Sequence, residues 1–227
     1  TGRYAQEAPL SVQTIASKGH EIACHSLQDD LALNTLSLAD LKTNITVATD
    51  LLRDEIGHRP TGFRAPKCSI TPACLEILET MGYIYDSSIH PTMVPNKYNY
   101  LTYPISHYYP SKNEIGRHGD CNILEIPISV MPTLRLPIGW WWMRNLGVGW
   151  TIWGSKYILS KNDYVVFYFH PWELVNLPKD KGISWSYRRN SGKKMYEMLE
   201  KYIRFFKNHA RFLKMHDLAM YLKNKTY

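Results

Sequence analysis

Residues 162–174 read N-D-Y-V-V-F-Y-F-H-P-W-E-L. Tyr164 to Phe169 is an unbroken β-branched and aromatic run, the pattern of a strand buried on both faces. Pro171 has no N–H to give to a ladder, so the strand is predicted to stop there. His170, Trp172 and Glu173 are thereby delivered to its C-terminal end, where chemistry sits in barrel-like α/β folds. The plainer reading is a histidine hydrogen-bonded at a strand terminus.

The rest of the chain supplies the frame for such a strand. Residues 8–18 have helical spacing (Val12, Ile15, Ala16) ended by Gly19, and residues 20–24 are a short strand candidate. Residues 37–56 form a long amphipathic pattern with Leu38, Leu41, Ile45, Ala48, Leu52 and Ile56 on one face, Ser37 as cap and Gly57 as stop. Residues 61–65 read as a strand ended by Pro66. Residues 71–81 read as a helix with Pro72 in its first turn, and residues 83–86 as a strand. Residues 89–119, rich in Tyr, Pro, Asn and His, read as a long loop excursion. A strand over 123–128, helices over 147–159 and 191–208, a last strand over 211–213 and a last helix over 216–223 complete the order. Alternation with short connections predicts βα units around a parallel sheet or barrel, in a single domain.

The 227 residues are enough for one large α/β domain. Hydrophobic residues at 44% and charged residues at 21% are ordinary for a globular protein, but 16 Tyr and 7 Trp are an excess. That excess asks for a large core or a surface that stacks on something flat. The net charge of +7 is concentrated late, over 179–181, 188–194, 201–214 and 223–225. No run is long or arginine-rich enough for a nucleic-acid arm. A solvated basic face, or an anionic partner such as a membrane surface or acidic glycan, remains. Cys24, Cys68, Cys74 and Cys121 make no C-x-x-C pair and no zinc-ribbon spacing, which fits a reducing compartment. With no signal peptide and no clean membrane run, the expected location is cytoplasmic or membrane-peripheral. The opening T-G-R-Y reads as the end of an element, so the N-terminus is expected to be truncated. The stretch 136–153 (L-P-I-G-W-W-W-M-R-N-L-G-V-G-W-T-I-W) carries five tryptophans. Core packing, stacking on sugar rings and a membrane interface are all open to it, while Arg144 and three glycines argue against a span.

Five short strings stand at or just after predicted strand ends: G-H-E-I-A-C-H-S (19–26), F-R-A-P (63–66), Y-D-S-S (85–88), L-E-I-P-I-S (124–129) and Y-F-H-P-W-E-L (168–174). In this order they resemble the polysaccharide deacetylase family, the NodB-homology or carbohydrate esterase 4 group, over nearly the whole chain. The resemblance implies a distorted (β/α) barrel with its N-terminal strand missing here, and a single NodB-homology domain over 1–227. It implies a hydrolase of non-peptide C–N bonds that removes acetyl from an amino sugar in a polysaccharide or lipid-linked glycan. It also implies a divalent metal, usually zinc, that polarises the amide and lowers the pKa of a bound water.

Carried over by position, the resemblance makes His25 and Asp29 metal ligands, Asp29 standing where the family has a second histidine. His170 becomes the general acid and Arg64 the arginine that orients the base carboxylate. Asp86, Pro66, Trp172 and Glu173 shape the groove, with Glu173 a partner for His170. The family's Asp-Asp pair, source of the base and of a metal ligand, has no counterpart here; Asp29-Asp30 lies elsewhere. The alternative function is therefore a degenerate, metal-poor carbohydrate-binding protein on the same fold. For Arg64 and Asp86 a structural ion pair or turn cap is equally open, and for His25 a loop histidine. Hydrolysis of a cyclic amide is a third reading. A carbohydrate or glycolipid is the expected partner, with peripheral contact to a membrane surface and no nucleic acid.

Overall fold

The structure, a computed structural model, describes residues 1–94, 98–179 and 182–225. The chain divides into two compact units, Thr1–Pro127 with Leu213–Tyr227, and Ile128–Phe212.

The first unit holds every described strand. Helices α1 (Gly2–Glu7), α2 (Pro9–Ser17) and α3 (Leu38–Ile56) precede β1 (Gly62–Phe63). Then come α4 (Pro72–Thr80), β2 (Tyr85–Asp86), a small antiparallel pair β3 (Met93–Val94) and β4 (Tyr98–Asn99), and β5 (Leu124–Glu125). The three core strands are parallel, in the order β1-β2-β5. Gly62 pairs with Tyr85 and Phe63 with Asp86, and Tyr85 and Asp86 then pair with Leu124 and Glu125. Residues 20–24 contribute one bridge, Cys24 to Phe63, not the strand expected. Helix α3 begins as predicted: the Ser37 side chain accepts from the Asp40 N–H, and Gly57 ends it at φ 77°. Its face of Leu41, Ile45, Ala48 and Leu52 is buried against a core that includes Phe63, Leu75, Leu78 and Ile123. Gly62 has a specific reason. A Cβ there would stand 2.1 Å from the Tyr85 ring, whose hydroxyl donates to Glu21 at 2.8 Å. Residues 95–97 of the loop excursion lie outside those described.

The second unit contains α5 (Trp140–Leu146), α6 (Val148–Leu159), the short α7 (Trp185–Arg188) and α8 (Lys193–Lys207). Trp140, Met143, Met195, Leu199, Tyr202 and Phe206 form its main core. The strand expected over 164–169 is not there. The segment is extended but joins no ladder, and only Val166 is buried, while Phe169 is exposed. Val166 bonds to Ser129 alone, giving its carbonyl to the Ser129 N–H and its own N–H to the Ser129 hydroxyl. Apolar runs read as two-sided burial also arise where alternate side chains dock on helices, and here α8 and α5 take them. The terminal strand expected over 211–213 is likewise absent. The last helix, α9 (Met215–Lys225), belongs to the first unit and is tied there by His216, whose N–H donates to Glu21 at 2.8 Å.

Candidate active site

In the first unit the polar residues gather where the parallel strands end. Pairing Asp86 opposite Glu125 in a parallel register points both carboxyls to one face. Both are buried, at 0% and 1% exposure. The Asp86 Oδ1 accepts from the Ser88 hydroxyl at 2.6 Å, and Glu125 Oε1 accepts from the Ile89 N–H at 3.0 Å. Burial raises the pKa of both groups, and the Asp86 charge drives Glu125 well above the usual carboxylate range. The shared proton therefore rests on Glu125. It favours the charge of Asp86, whose Oδ2 is buried and has no other hydrogen-bond partner among the described residues.

Arg64 follows β1 directly. Its Nε donates to the Ser87 carbonyl at 2.7 Å and its Nη2 to the Ser87 hydroxyl at 2.8 Å; that hydroxyl donates onward to the Ile126 carbonyl at 2.7 Å. The guanidinium is thus clamped by the loop after β2, and its positive charge favours the ionised form of Asp86. His90 is buried in the same region, its pKa lowered to about 4 by burial and then by Arg64. Pro66, buried, opens a tight turn over Pro66–Cys68, and Ala65 donates to the Ser88 hydroxyl at 2.8 Å.

His25 sits beside this cluster. Its Nδ1 lies 2.6 Å from the Arg64 carbonyl, which makes Nδ1 the protonated nitrogen and leaves the Nε2 lone pair as the ligating one. Burial lowers its pKa to about 4, so the ring is neutral at pH 7, and the Asp29 carboxylate is near enough to oppose that shift. A neutral imidazole with its far nitrogen fixed, together with a carboxylate, is donor chemistry suited to a divalent cation. Yet no group of three or more His, Cys, Asp or Glu able to hold a metal occurs among the described residues. His25 and Asp29 are right in kind and too few in number.

The second unit holds the other predicted cluster. The His170 N–H and Nδ1 both meet Glu173 Oε1, at 2.7 and 2.9 Å. Glu173 is fully buried and its other oxygen faces Arg144 Nη1 at 3.7 Å, also fully buried. Arg144 in turn donates from Nε to the Arg189 carbonyl at 2.9 Å and from Nη2 to the Tyr187 carbonyl. The His170 ring stacks on Trp172 at 5.2 Å and meets the edges of Trp140 and Tyr168. Its side chain stays 39% exposed. A carboxyl on Nδ1 and aromatic walls fix the orientation of a ring that remains part-exposed.

Two family models match the chain: Polysaccharide deacetylase over residues 1–85, and a Domain of unknown function (DUF3473) over residues 87–220. The DUF3473 model covers more than half of the chain, which belongs to that family, and residues 1–85 are similar to the polysaccharide deacetylases. Among curated proteins it is similar to the Peptidoglycan deacetylase-like protein FGM2 of Gibberella zeae, 34% identical over 91 residues. That match covers 39% of this chain and 26% of FGM2, so the chain spans about a quarter of that relative's length. A crystal structure described as a polysaccharide deacetylase from Mycobacterium smegmatis matches all of the chain and 71% of its own, with TM-score 0.68 and 16% identity. Puue allantoinase matches 97% of the chain and 64% of its own, with TM-score 0.63 and 14% identity. The fold is accordingly α/β of the NodB-homology, distorted-barrel type.

The motif positions thus fall into two sets. His25, Asp29, Arg64, Pro66 and Asp86 share the first unit; His170, Trp172 and Glu173 share the second. Sequence reading missed Glu125, Ser87, Ser88 and His90. Glu125 did carry a signal. A carboxylate inside I-L-E-I-P-I has to find a partner if that strand is buried.

Proposed function

We propose that the protein hydrolyses the N-acetyl group of an amino sugar in a polysaccharide or lipid-linked glycan, with His25 and Asp29 supplying two of the ligands that a divalent metal would need. The observation that carries the reading is the His170–Glu173 pair in a chain whose residues 1–85 match the Polysaccharide deacetylase model. An amide's departing amine leaves only if it is protonated as the C–N bond breaks. His170, with Nδ1 held by the buried Glu173 carboxyl, offers that proton from Nε2. The Trp172 and Tyr168 rings set the imidazole plane. Arg64, clamped on Ser87, fixes the loop that follows β2. A bound metal would supply carbonyl polarisation and a more acidic water. His25 contributes the lone pair that its Arg64 contact leaves free.

The test is acetate release from N-acetylglucosamine oligomers by the full-length protein, wild type against His170→Ala. Turnover should fall by about 10²-fold or more, and an unchanged rate removes His170 from the reaction. Oligomer binding without any acetate release in the wild type would replace the enzyme with the metal-poor binding protein.

A further inference from the structure

The tryptophan-rich α5–α6 hairpin is left over by this reading. Trp140 alone among its indoles touches His170. The others form a row along the outside of the second unit. Trp142 stacks on Trp150 (5.9 Å, 23°), Trp150 meets Trp153 (5.5 Å), and Trp153 stacks on Tyr157 (6.4 Å, 11°). The Tyr157 hydroxyl is 2.7 Å from the Thr133 hydroxyl, which brings the turn bearing Leu134 to the end of the row. The row is open to solvent where it is most apolar: Leu134 is 71% exposed, Trp153 57%, and Leu146, at the hairpin tip before Gly147, 53%. The Trp150 indole N–H is already used by the Pro137 carbonyl.

Charge follows the same division. Residues 128–212 hold 14 Lys and Arg against 5 Asp and Glu, a formal +9, while the remainder of the chain carries 13 against 15, a formal −2. No Asp or Glu occurs between Glu125 and Asp163, a stretch that contains the whole hairpin and ends in the exposed Lys156 and Lys161.

We infer that the α5–α6 hairpin of the second unit docks on an anionic lipid bilayer. Exposed indoles, aliphatic tips, flanking lysines and a lack of acids are what an interfacial surface requires. Helix α6, with 12 residues, is about 18 Å long and lies in an interface without crossing it. No described helix is long and apolar enough to cross a membrane. A sugar platform fits less well. Two of the three ring contacts in the row are face to face, so those indole faces are turned on each other and not outward. Leu134 and Leu146 also offer a sugar nothing that an acyl chain does not use better. Arg144 is buried on Glu173 and backbone carbonyls and takes no part.

The experiment is flotation of the full-length protein with vesicles of phosphatidylcholine alone and with about one-third phosphatidylglycerol, at low and high salt. Binding to the anionic vesicles should exceed binding to the neutral ones by at least about tenfold and weaken with salt. Leu146→Glu with Trp153→Glu should remove it by about tenfold or more, since two inserting side chains are lost. Lys156→Glu with Lys161→Glu should erase the anionic preference. Circular dichroism shows whether each variant is folded, and all four sites are on the surface. Equal binding by the wild type and the first variant overturns the inference, as does no binding to either vesicle. A tryptophan emission shift caused by N-acetylglucosamine oligomers, abolished by Trp153→Glu and not reproduced by vesicles, overturns it in favour of the sugar platform. Vesicle binding is read without substrate, so its failure leaves the deacetylase reading untouched.

Discussion

Replacing Glu125 by Gln tests whether the buried carboxyl pair holds a proton. Glutamine keeps the oxygen that accepts from Ile89 and substitutes an amide N–H for the proton that Glu125 shares with Asp86. It therefore copies the protonated acid at every pH. In the wild type, burial and the Asp86 charge raise the pKa of folded Glu125 well above its usual 4.5, so the folded state holds a proton that the unfolded state releases. The sign follows. A raised carboxyl pKa gives stability that is full below 4.5 and is lost as pH rises through the folded value. One proton of difference corresponds to a slope of about 1.4 kcal/mol per pH unit. As pH rises above 4.5 the wild type should thus lose stability relative to Glu125→Gln, at a slope of up to about 1.4 kcal/mol per pH unit. His25 and His90, lowered to about 4, act in the opposite sense: their contribution grows as pH rises from 4 to 6.5. They are common to both proteins and cancel in the difference. Urea unfolding of the two proteins at half-unit steps from pH 5 to 8 reads it directly. Glu125→Ala serves as control: it lacks the same titrating group and also the acceptor for Ile89, so it should lie about 1–3 kcal/mol below the Gln variant throughout the range. Parallel stability curves for wild type and Gln variant would refute the shared proton.

Glu173→Gln removes the charge opposite buried Arg144 and should destabilise the protein by about 3–5 kcal/mol in denaturant unfolding; a loss below about 1 kcal/mol would mean that the two carbonyls bonded to Arg144 already satisfy it. Asp29→His in the full-length protein should raise zinc affinity in a chelator competition, by about tenfold or more for a nitrogen donor in place of oxygen; unchanged affinity would separate residue 29 from the metal.

The helices were the legible part of this fold because their signals are local. Ser37 with Asp40, the 3.6-residue spacing from Leu41 to Leu52 and the stop at Gly57 are all contained within one element. The core strands are only two residues each, too short for a period to show, and their places were marked instead by the strings that end them. The segment over 164–169 failed for a related reason. β-branched and aromatic content reports a side chain that packs well on a half-buried surface, and helices offer such a surface as readily as strands do. His170 and Glu173 nonetheless meet, since Pro171 starts a turn whether or not a strand precedes it. The pairing of Glu125 with Asp86 shows only through register: nothing within either string says that the other carboxyl stands opposite.

Backbone strain around His25 and Arg64 was also out of the sequence's reach, and it bears on how the site is held. Ser26, Lys67 and Cys68 have positive φ (62°, 55° and 58°), yet none is Gly, Asn or Asp. Each such residue costs on the order of 1–3 kcal/mol and persists only where surrounding contacts over-determine it. The contacts are present. The Ser26 hydroxyl donates to the buried Asn44 side chain at 2.7 Å, and the Leu27 N–H donates to the same oxygen at 3.1 Å. Ser69 closes the Pro66–Cys68 turn by donating to the Pro66 carbonyl at 2.6 Å and accepting from the Leu33 N–H. Helix α3, through Asn44, thus sets the turn that follows His25, and the loop after α2 sets the turn that follows Arg64. The two groups that meet at 2.6 Å are fixed by separate anchors, so their contact comes from the surrounding packing and not from the strength of one hydrogen bond.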